Sequence, residues 1–184
     1  MLSHIDTSAL KSTNARNLQI PLHIRPIQGS DAQLLQEGFE QLSETSRYHR
    51  FHAGMRRMPE ALVRYLTQVD GVNHVALVAF EQTALGPGQG VAVARFVRNK
   101  DVPQTAELAV TVIDAFQGRG VARQLLAALG DCARARGIHT FTMNVLSGNA
   151  RARRLVRSLG AVGIGSDGDV ITFHLPVTSL ASAA

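Results

Sequence analysis

The segment at residues 117–122 (QGRGVA) has the residue types and spacing that point most directly to chemistry. Its two glycines, Gly118 and Gly120, follow an apolar, strand-like run at residues 106–113 and precede a helix-like run at residues 121–136. A glycine-bearing turn at a helix start leaves several backbone N–H groups without an intrahelical partner, and the helix dipole adds a fractional positive charge there. Together these features form a binding site for phosphate. The segment therefore predicts a phosphorylated ligand.

The spacing of the two glycines does not fit either of two common nucleotide-binding motifs. A P-loop needs a lysine and a hydroxyl residue after its last glycine, and no Gly-Lys pair occurs in the sequence. A dinucleotide-binding fold needs a third glycine where Arg123 stands, and an acidic residue at the end of the next strand, but residues 139–146 contain none. Both motifs are therefore excluded. A purely structural role, in which Gly118 and Gly120 only permit a tight turn, stays open on this segment alone.

A second motif in the right order favours one family. Gln-x-x-Gly-x-Ala between a strand and a helix resembles the acetyl-CoA-binding motif of the GNAT N-acetyltransferase superfamily. Residues 149–161 (NARARRLVRSLGA) resemble the family's next segment, an Asn-led helix ending in Leu-Gly-aromatic. The order of strands and helices matches the family across roughly residues 23–175. Within the family, residues 106–110 (AELAV) and 46–51 (SRYHRF) are most similar to the bacterial Pat-type protein-lysine acetyltransferase domain.

The resemblance implies a set of cofactor-binding residues. Backbone groups at residues 110–112 would pair with the pantetheine arm, in a slot that a bulge in this strand opens against the next strand. Amides of residues 118–123 would hold the pyrophosphate, and Arg119 and Arg123 would add charge-assisted contacts. Asn149 would bind the arm through its side-chain amide, unless it serves only as a helix N-cap. The predicted residues are Val110, Thr111, Val112, Gln117, Gly118, Arg119, Gly120, Val121, Ala122, Arg123 and Asn149.

Acetyl transfer to an amine needs a base, because an alkylammonium with a pKa of about 10.4 is protonated at neutral pH. Glu107 is the candidate, since it interrupts an apolar strand beside Leu108, and burial there would strengthen it as a base. The resemblance places a glutamate with this role at the same position. The alternative is a solvated, outward-facing residue. The family tyrosine that protonates the departing thiolate is replaced here by Val156, which leaves that step without an assigned acid.

Other reactive side chains have plainer interpretations. Cys132 lies on the apolar stripe of the long helix, which indicates a core thiol rather than a nucleophile. His49 and His52 are three apart with no third ligand nearby, so no metal site is predicted. In this family the segment containing Arg47, Tyr48 and His52 borders the acceptor site, although a plain packed loop explains it equally well.

Hydrophobic periodicity and turn residues predict alternating strands and helices. We expect an α/β protein with a GNAT-like fold, in which a mixed, twisted sheet of six or seven strands is flanked by helices on both faces. The predicted strands cover residues 23–27, 73–81, 90–97, 104–113, 139–146 and 170–175. The predicted helices cover residues 31–42, 59–69, 121–136 and 149–159.

Length and composition limit the number of domains and the cellular setting of the protein. The 184 residues, 45% hydrophobic and 18% charged, predict one domain at residues 21–176, between a flexible N-terminal tail at 1–20 and a C-terminal tail at 177–184. The single cysteine cannot form an internal disulfide, which favours a reducing, cytoplasmic setting. No apolar run approaches the length of a membrane span, and the first 17 residues lack the apolar core of a signal peptide.

A net charge of +5, from 19 basic and 14 acidic residues, suits an anionic ligand. The arginines do not form the long basic run that is typical of nucleic-acid binders, so nucleic acid is an unlikely partner. We therefore predict an acetyl-CoA-dependent N-acetyltransferase in which the amine attacks directly within a ternary complex. The acceptor is a protein lysine or a small-molecule amine. The alternative is an acetyl-CoA sensor that binds without turnover.

Overall fold

The computed structural model describes residues 20–183, with side chains described as far as Leu180. The N-terminal tail predicted at residues 1–20 therefore lies, except for Ile20, outside the described residues. The strands are β1 (Leu22–Pro26), β2 (His74–Thr83), β3 (Gly86–Arg98), β4 (Thr105–Val112), β5 (Thr140–Leu146), β6 (Val162–Asp167) and β7 (Val170–Pro176). The α-helices are α1 (Ala32–Glu40), α2 (Glu44–Phe51), α3 (Glu60–Thr67), α4 (Val121–Arg134) and α5 (Ala150–Ser158).

The seven strands form one mixed sheet in the order β1-β2-β3-β4-β5-β7-β6. Neighbouring strands are antiparallel except β4 and β5, which run parallel. The chain connects those two through α4, because a parallel pair needs a crossover that a tight turn cannot supply. The predicted mixed sheet of six or seven strands is confirmed.

Each face of the sheet is covered by helices, as predicted. On one face α4 buries Leu125, Leu126 and Leu129, all at most 1% exposed, against the even-numbered side chains of β4. Their spacing of one, three and four residues places them on one helical stripe. On the other face α1 and α3 bury a smaller cluster that includes Phe39 and Leu66.

The parallel pair β4 and β5 is joined over only part of its length. Residues Thr105, Ala106 and Glu107 pair with Thr140, Phe141 and Thr142. Beyond Glu107 the strands continue to Val112 and Leu146 without pairing to each other. A V-shaped slot therefore opens between them, with its apex at Glu107.

Three segments differ from the sequence expectations. Residues 44–51 form α2 rather than a loop, with Ser43 as its N-cap accepting a hydrogen bond from the Ser46 amide. Residues 162–167 form a seventh strand, β6, at the edge of the sheet. The segment expected to be a C-terminal tail is a 3-10 helix, Val177–Ala183, whose Val177 and Leu180 are buried in the core. Within residues 20–183, no helix has the length and apolarity that crossing a membrane requires.

Candidate functional site

The slot between β4 and β5 is a cavity of about 1020 Å³, enough for a large ligand. Residues from β4, from the turn before α4, and from the start of α5 line it. Every predicted site residue except Arg119 lies on its wall. The structure therefore brings together residues that are more than forty positions apart in the sequence.

The backbone of β4 faces the slot at alternate residues. The Ile113 N–H donates to the Val91 carbonyl oxygen of the neighbouring strand at 3.0 Å. Hydrogen-bonding residues alternate along an antiparallel pair, so the backbone of Thr111 also points toward β3, while Val110 and Val112 present theirs to the slot. The prediction that Thr111 offers backbone groups to a ligand is therefore wrong, and only its side chain lines the slot.

The slot does not depend on the bulge that the resemblance implied. The pairing of β4 with β3 runs without a register shift from Ala106 to Val112. The strands instead diverge because β5 leaves the pairing after Thr142, where β4 has reached Glu107. The bulge in β4 was thus a wrong expectation, whereas the slot that it was meant to explain is present.

The turn before α4 has the conformation that phosphate binding needs. Gly118 and Gly120 both have φ near +80°, the left-handed region that glycine adopts without a Cβ clash. Within the described residues, the N–H groups of residues 118–123 have no backbone acceptor. Six consecutive amides at the start of a 14-residue helix are therefore available to an anionic ligand.

Gln117 fixes the start of this turn. Its Nε2 donates to the Val112 carbonyl oxygen and to Asp114 Oδ1, each at 3.0 Å. Its Oε1 accepts a hydrogen bond from the Arg151 guanidinium. The side chain thereby holds the end of β4, the turn and the start of α5 together, which is a positioning role rather than a free ligand contact.

Asp114 links the same turn to α2. Its Oδ2 accepts from the Ser43 amide at 3.3 Å. Burial disfavours the charged carboxylate, but hydrogen bonds from Ser43 and Ser46 outweigh it and hold the pKa of Asp114 below its usual value. The carboxylate therefore remains an acceptor that keeps α2 at the rim of the slot.

Arg119 and Arg123 were both predicted to contact the pyrophosphate, but only Arg123 lines the slot. Arg119 is exposed, does not line the slot, and lies with its guanidinium 5.2 Å from the centre of the Phe116 ring. Arg123 lines the slot and donates to Ser158 Oγ at 2.8 Å. Arg151 and Arg154 also line it, although neither was among the predicted site residues. Their spacing of three residues, which places both on one helical face, was the available signal.

Asn149 is the N-cap of α5 and also lies on the wall of the slot. Its Oδ1 accepts from the Ala152 amide at 3.0 Å, which makes it the N-cap of α5. The residue also lines the slot. The carbonyl end of the amide is therefore used by the helix, and the NH₂ end is the part that a ligand can use.

Glu107 lies where the two strands separate, and it lines the slot. Its side chain is exposed, so the expectation that burial strengthens it as a base is wrong. The carboxylate is instead open to water and to any molecule that enters above the apex.

Residues of α2 form the opposite wall near Glu107. His49 and His52 both line the slot, whereas Tyr48 is 49% exposed and points elsewhere. Arg47 turns toward the core, with its guanidinium 4.5 Å from the centre of the Phe39 ring. Across residues 20–180, no group of three or more His, Cys, Asp or Glu side chains has the arrangement of a metal site. Cys132 packs against the core beneath α4, as predicted.

Comparison with known proteins matches residues 22–162 to a family described as the acetyltransferase (GNAT) domain. The acetyltransferase Pat of Mycolicibacterium smegmatis is 36% identical over 155 residues. That alignment covers 84% of this chain but only 45% of Pat, so the chain spans less than half the length of this relative.

Solved structures agree with this match. The GNAT domain of S. lividans PAT superimposes with a TM-score of 0.77 at 32% identity, covering 84% of this chain and 90% of that domain. The protein yncA of Salmonella typhimurium, solved with its cofactor acetyl-CoA, gives a TM-score of 0.65 at 23% identity. That alignment covers 85% of this chain and 94% of yncA, and it bears on the fold alone.

Proposed function

This chain belongs to the GNAT acetyltransferase family, and from that premise we propose that it moves an acetyl group from acetyl-CoA to an amine. The observation that carries the proposal is the slot itself. At one end it has a turn of free amides suited to a diphosphate, and at its apex it has a carboxylate. We infer that both substrates bind together, so that the amine attacks the thioester directly.

In this proposal coenzyme A lies along β4. The diphosphate accepts hydrogen bonds from amides of residues 118–123, and Arg151 and Arg154 supply the neighbouring positive charge. The pantetheine arm pairs with the slot-facing backbone of Val110 and Val112, much as a further strand would. The NH₂ group of Asn149 donates to a carbonyl of the arm.

The spacing along β4 supports this placement. Val112 is five positions after Glu107, which is a distance of about 17 Å in an extended strand. An extended pantetheine arm spans a comparable length, so a diphosphate at the turn brings the thioester close to the apex. The proposed base and the reacting carbon thereby meet at the same end of the slot.

The chemistry then follows from the groups at the apex. Glu107, exposed to water, accepts a proton from the incoming ammonium directly or through a water molecule. The freed amine attacks the thioester carbon, and the Val110 N–H donates to the oxygen as it becomes negative. The nitrogen of the tetrahedral intermediate loses its second proton to water, the intermediate collapses, the C–S bond breaks, and the thiolate of coenzyme A leaves. A thiol with a pKa of about 8.5 gives a thiolate stable enough to depart without a dedicated acid, which fits Val156 at the family's tyrosine position.

The acceptor enters over α2. His49 and His52 stand on that wall of the slot, and the similarity to Pat favours a protein lysine over a small-molecule amine. We also place the reaction in the cytoplasm, because the one cysteine, Cys132, cannot form an internal disulfide.

A second candidate is an acetyl-CoA sensor without turnover, with which Val156 is equally compatible because it supplies no acid to the thiolate. Two measurements separate the candidates. Purified protein is incubated with radiolabelled acetyl-CoA and a cell extract, and transferred label is identified by mass spectrometry. Calorimetry measures acetyl-CoA binding in parallel. Labelled lysines or amines support the enzyme, whereas tight binding without any transfer supports the sensor.

A further inference from the structure

A second, smaller cavity of about 70 Å³ lies between the sheet and helices α1 to α3. Apolar side chains from both sides form most of its wall, among them Phe39, Leu66 and Val93. Two arginines, Arg50 and Arg95, are the charged residues that line it. An apolar cavity with two cations in its wall is unusual, because charged groups are rarely buried without a partner of opposite charge.

Arg95 is the more deeply buried of the two, at 5% exposure. Its Nη1 donates to the Leu66 carbonyl oxygen at 3.0 Å and lies 3.1 Å from His74 Nε2. Burial, followed by the positive charge of Arg50, lowers the pKa of Arg95 to about 10. Its surroundings therefore disfavour the cation that a guanidinium ordinarily carries.

Arg50 faces the same cavity from α2. Burial lowers its pKa, and the nearby charge of Glu107 offsets this only in part. Neither arginine belongs to the three ion pairs found among residues 20–180, so no carboxylate in that part of the chain lies within 4.0 Å of either guanidinium. Two like charges thus share an apolar cavity with no anion from the described residues between them.

We propose that this cavity is a binding site for a short organic carboxylate, with its apolar body against the aliphatic and aromatic wall and its carboxylate between Arg50 and Arg95. A carboxylate matches the planar donor geometry of guanidinium groups and gives both cations the direct ion pair that no carboxylate of the described residues supplies. The apolar wall selects against inorganic phosphate or sulfate, which have no apolar body to bury.

The size of the cavity limits the ligand. A buried water needs about 10–15 Å³ of such space, so the cavity holds about five waters or an acid of about four carbons. The carboxylate is therefore that of a small metabolite or of a short side chain, not of a long fatty acid.

The cavity also adjoins the slot. Arg50, Phe51 and Thr111 line both spaces, and Arg95 lies opposite Ala109 on the neighbouring strand, two residues from Glu107. A carboxylate attached to one of the reactants can therefore reach the site from the slot. It can be the end of the donor's acyl chain or a group on the acceptor, and these two sources rest on the proposed function, whereas binding of a free acid does not.

The site is tested by binding alone, on the full chain. Butanoate is titrated into protein labelled with ¹⁵N at arginine, and the side-chain Nε–H resonances are followed by NMR. We expect saturable shifts of two arginine signals, with binding of the uncharged butanamide at least tenfold weaker. Absence of saturable shifts, or equal binding of the acid and the amide, overturns the proposal.

Variants identify the residues responsible. Arg50→Met and Arg95→Met are each expected to weaken butanoate binding at least tenfold, while Arg64→Met, an exposed arginine on α3 outside the cavity, leaves it unchanged. Gly38→Leu gives an independent test that keeps both arginines. Gly38 lines the cavity, and a Cβ there meets no atom within 4 Å, so the larger side chain has room and is expected to abolish binding. Butanoate affinity that is retained in the folded Gly38→Leu protein contradicts the proposal.

Turnover assays then distinguish the source of the carboxylate. A preference for succinyl-CoA over butanoyl-CoA, lost in Arg95→Met, assigns the site to the donor. A preference for acceptor amines that carry a carboxylate, lost in the same variant, assigns it to the acceptor. Neither preference, together with butanoate binding, assigns it to a free acid. If no turnover occurs at all, the proposed function fails while the binding result stands.

Discussion

Glu107 is the base in the proposed reaction. It is the carboxylate at the apex of the slot, where β4 and β5 stop pairing, and it is open to solvent rather than buried. In the proposed mechanism this base acts through its position beside the thioester. Removing its charge without changing its shape is therefore the clearest test of the assignment.

We expect Glu107→Gln to lower kcat by about 10²–10⁴-fold while leaving the KM for acetyl-CoA nearly unchanged, because the amide keeps the shape but cannot accept the proton. Steady-state release of coenzyme A measures both constants. Glu81→Gln, on β2 outside the slot, is the matched control and should behave as the unmodified protein. Undiminished turnover in Glu107→Gln would remove this residue from the mechanism.

The arginines of α5 test the electrostatic part of the site. Arg154→Met should weaken acetyl-CoA binding about threefold to tenfold at low salt, because Arg154 lines the slot near the proposed diphosphate. The difference from the unmodified protein should shrink as ionic strength rises. Arg157→Met, on the same helix but facing the Phe173 ring, is the control. Calorimetry that gives equal losses for both variants would argue against a diphosphate beside Arg154.

Single residues were predictable where a motif demanded them. Gly118, Gly120 and Asn149 line the slot because the turn and the N-cap need those residue types. Arg119 does not, since a side chain at the crest of a turn can point either way and only packing against Phe116 decides it. The cavity-lining arginines Arg50 and Arg95 gave no signal, because the place of a charged residue of a strand or short helix in a cavity wall follows from tertiary packing.

At the scale of elements, the turn from β4 into α4 is the feature on which the proposed ligand binding depends. Both of its glycines adopt positive φ, and its amides have no backbone acceptor among the residues that the structure describes. The same conformation occurs at Gly71, which has φ of +69° and lies outside the slot. The two glycines Gly118 and Gly71 therefore form a natural pair for separating backbone strain from ligand binding.

Gly118→Ala and Gly71→Ala should each destabilise the protein by about 1–2 kcal/mol, because alanine is strained in the left-handed region. Only Gly118→Ala should also weaken acetyl-CoA binding, by about tenfold or more, since it disturbs the amides around the diphosphate. Chemical denaturation and calorimetry measure the two effects. Equal acetyl-CoA affinities in the two variants would show that this turn does not hold the ligand.

Element prediction succeeded where periodicity was strong and failed where it was weak. The long helix α4 was expected because its apolar residues recur on one stripe. Helix α2 was missed because most of its residues are polar and none is buried, so it has no apolar stripe. Strand β6 was missed because Gly163 and Gly165 interrupt it and every residue is exposed. Pairing with β7 makes it a strand, and that is a long-range effect.

For the molecule as a whole, the first strand and the first helix are held together by one ion pair. Arg25 donates to both oxygens of Asp31 at 2.7 Å, and the Gln28 amide donates to the same carboxylate. Asp31 is 6% exposed. The hydrogen bonds from Arg25 outweigh the effect of burial and lower the pKa of Asp31 below its usual value.

A carboxyl with a lowered pKa stabilises the fold above its unfolded pKa of about 3.9 and loses that contribution as pH falls through its folded pKa. We therefore expect Asp31→Asn to reduce the free energy of unfolding by about 2 kcal/mol at pH 7. The difference from the unmodified protein should shrink steadily below about pH 4. Urea denaturation at a series of pH values measures it. A difference that stays constant down to about pH 2 would exclude the ion pair as its cause.

The general architecture followed from the order of strands and helices, but the slot did not follow from it in detail. Its opening depends on where β5 leaves β4, and that point is set by pairing between Glu107 and Thr142, which are far apart in the sequence. The expected bulge was the wrong cause for a correctly expected opening. The expected burial of Glu107 was also wrong, because whether a strand side chain is covered depends on tertiary packing over that face of the sheet.

A crystal structure of the protein with acetyl-CoA tests the central claim most directly. The account predicts diphosphate oxygens within about 3 Å of backbone nitrogens between Gly118 and Arg123, the pantetheine arm along β4, and the thioester beside Glu107. A nucleotide bound elsewhere, with those amides free of any ligand, would contradict it.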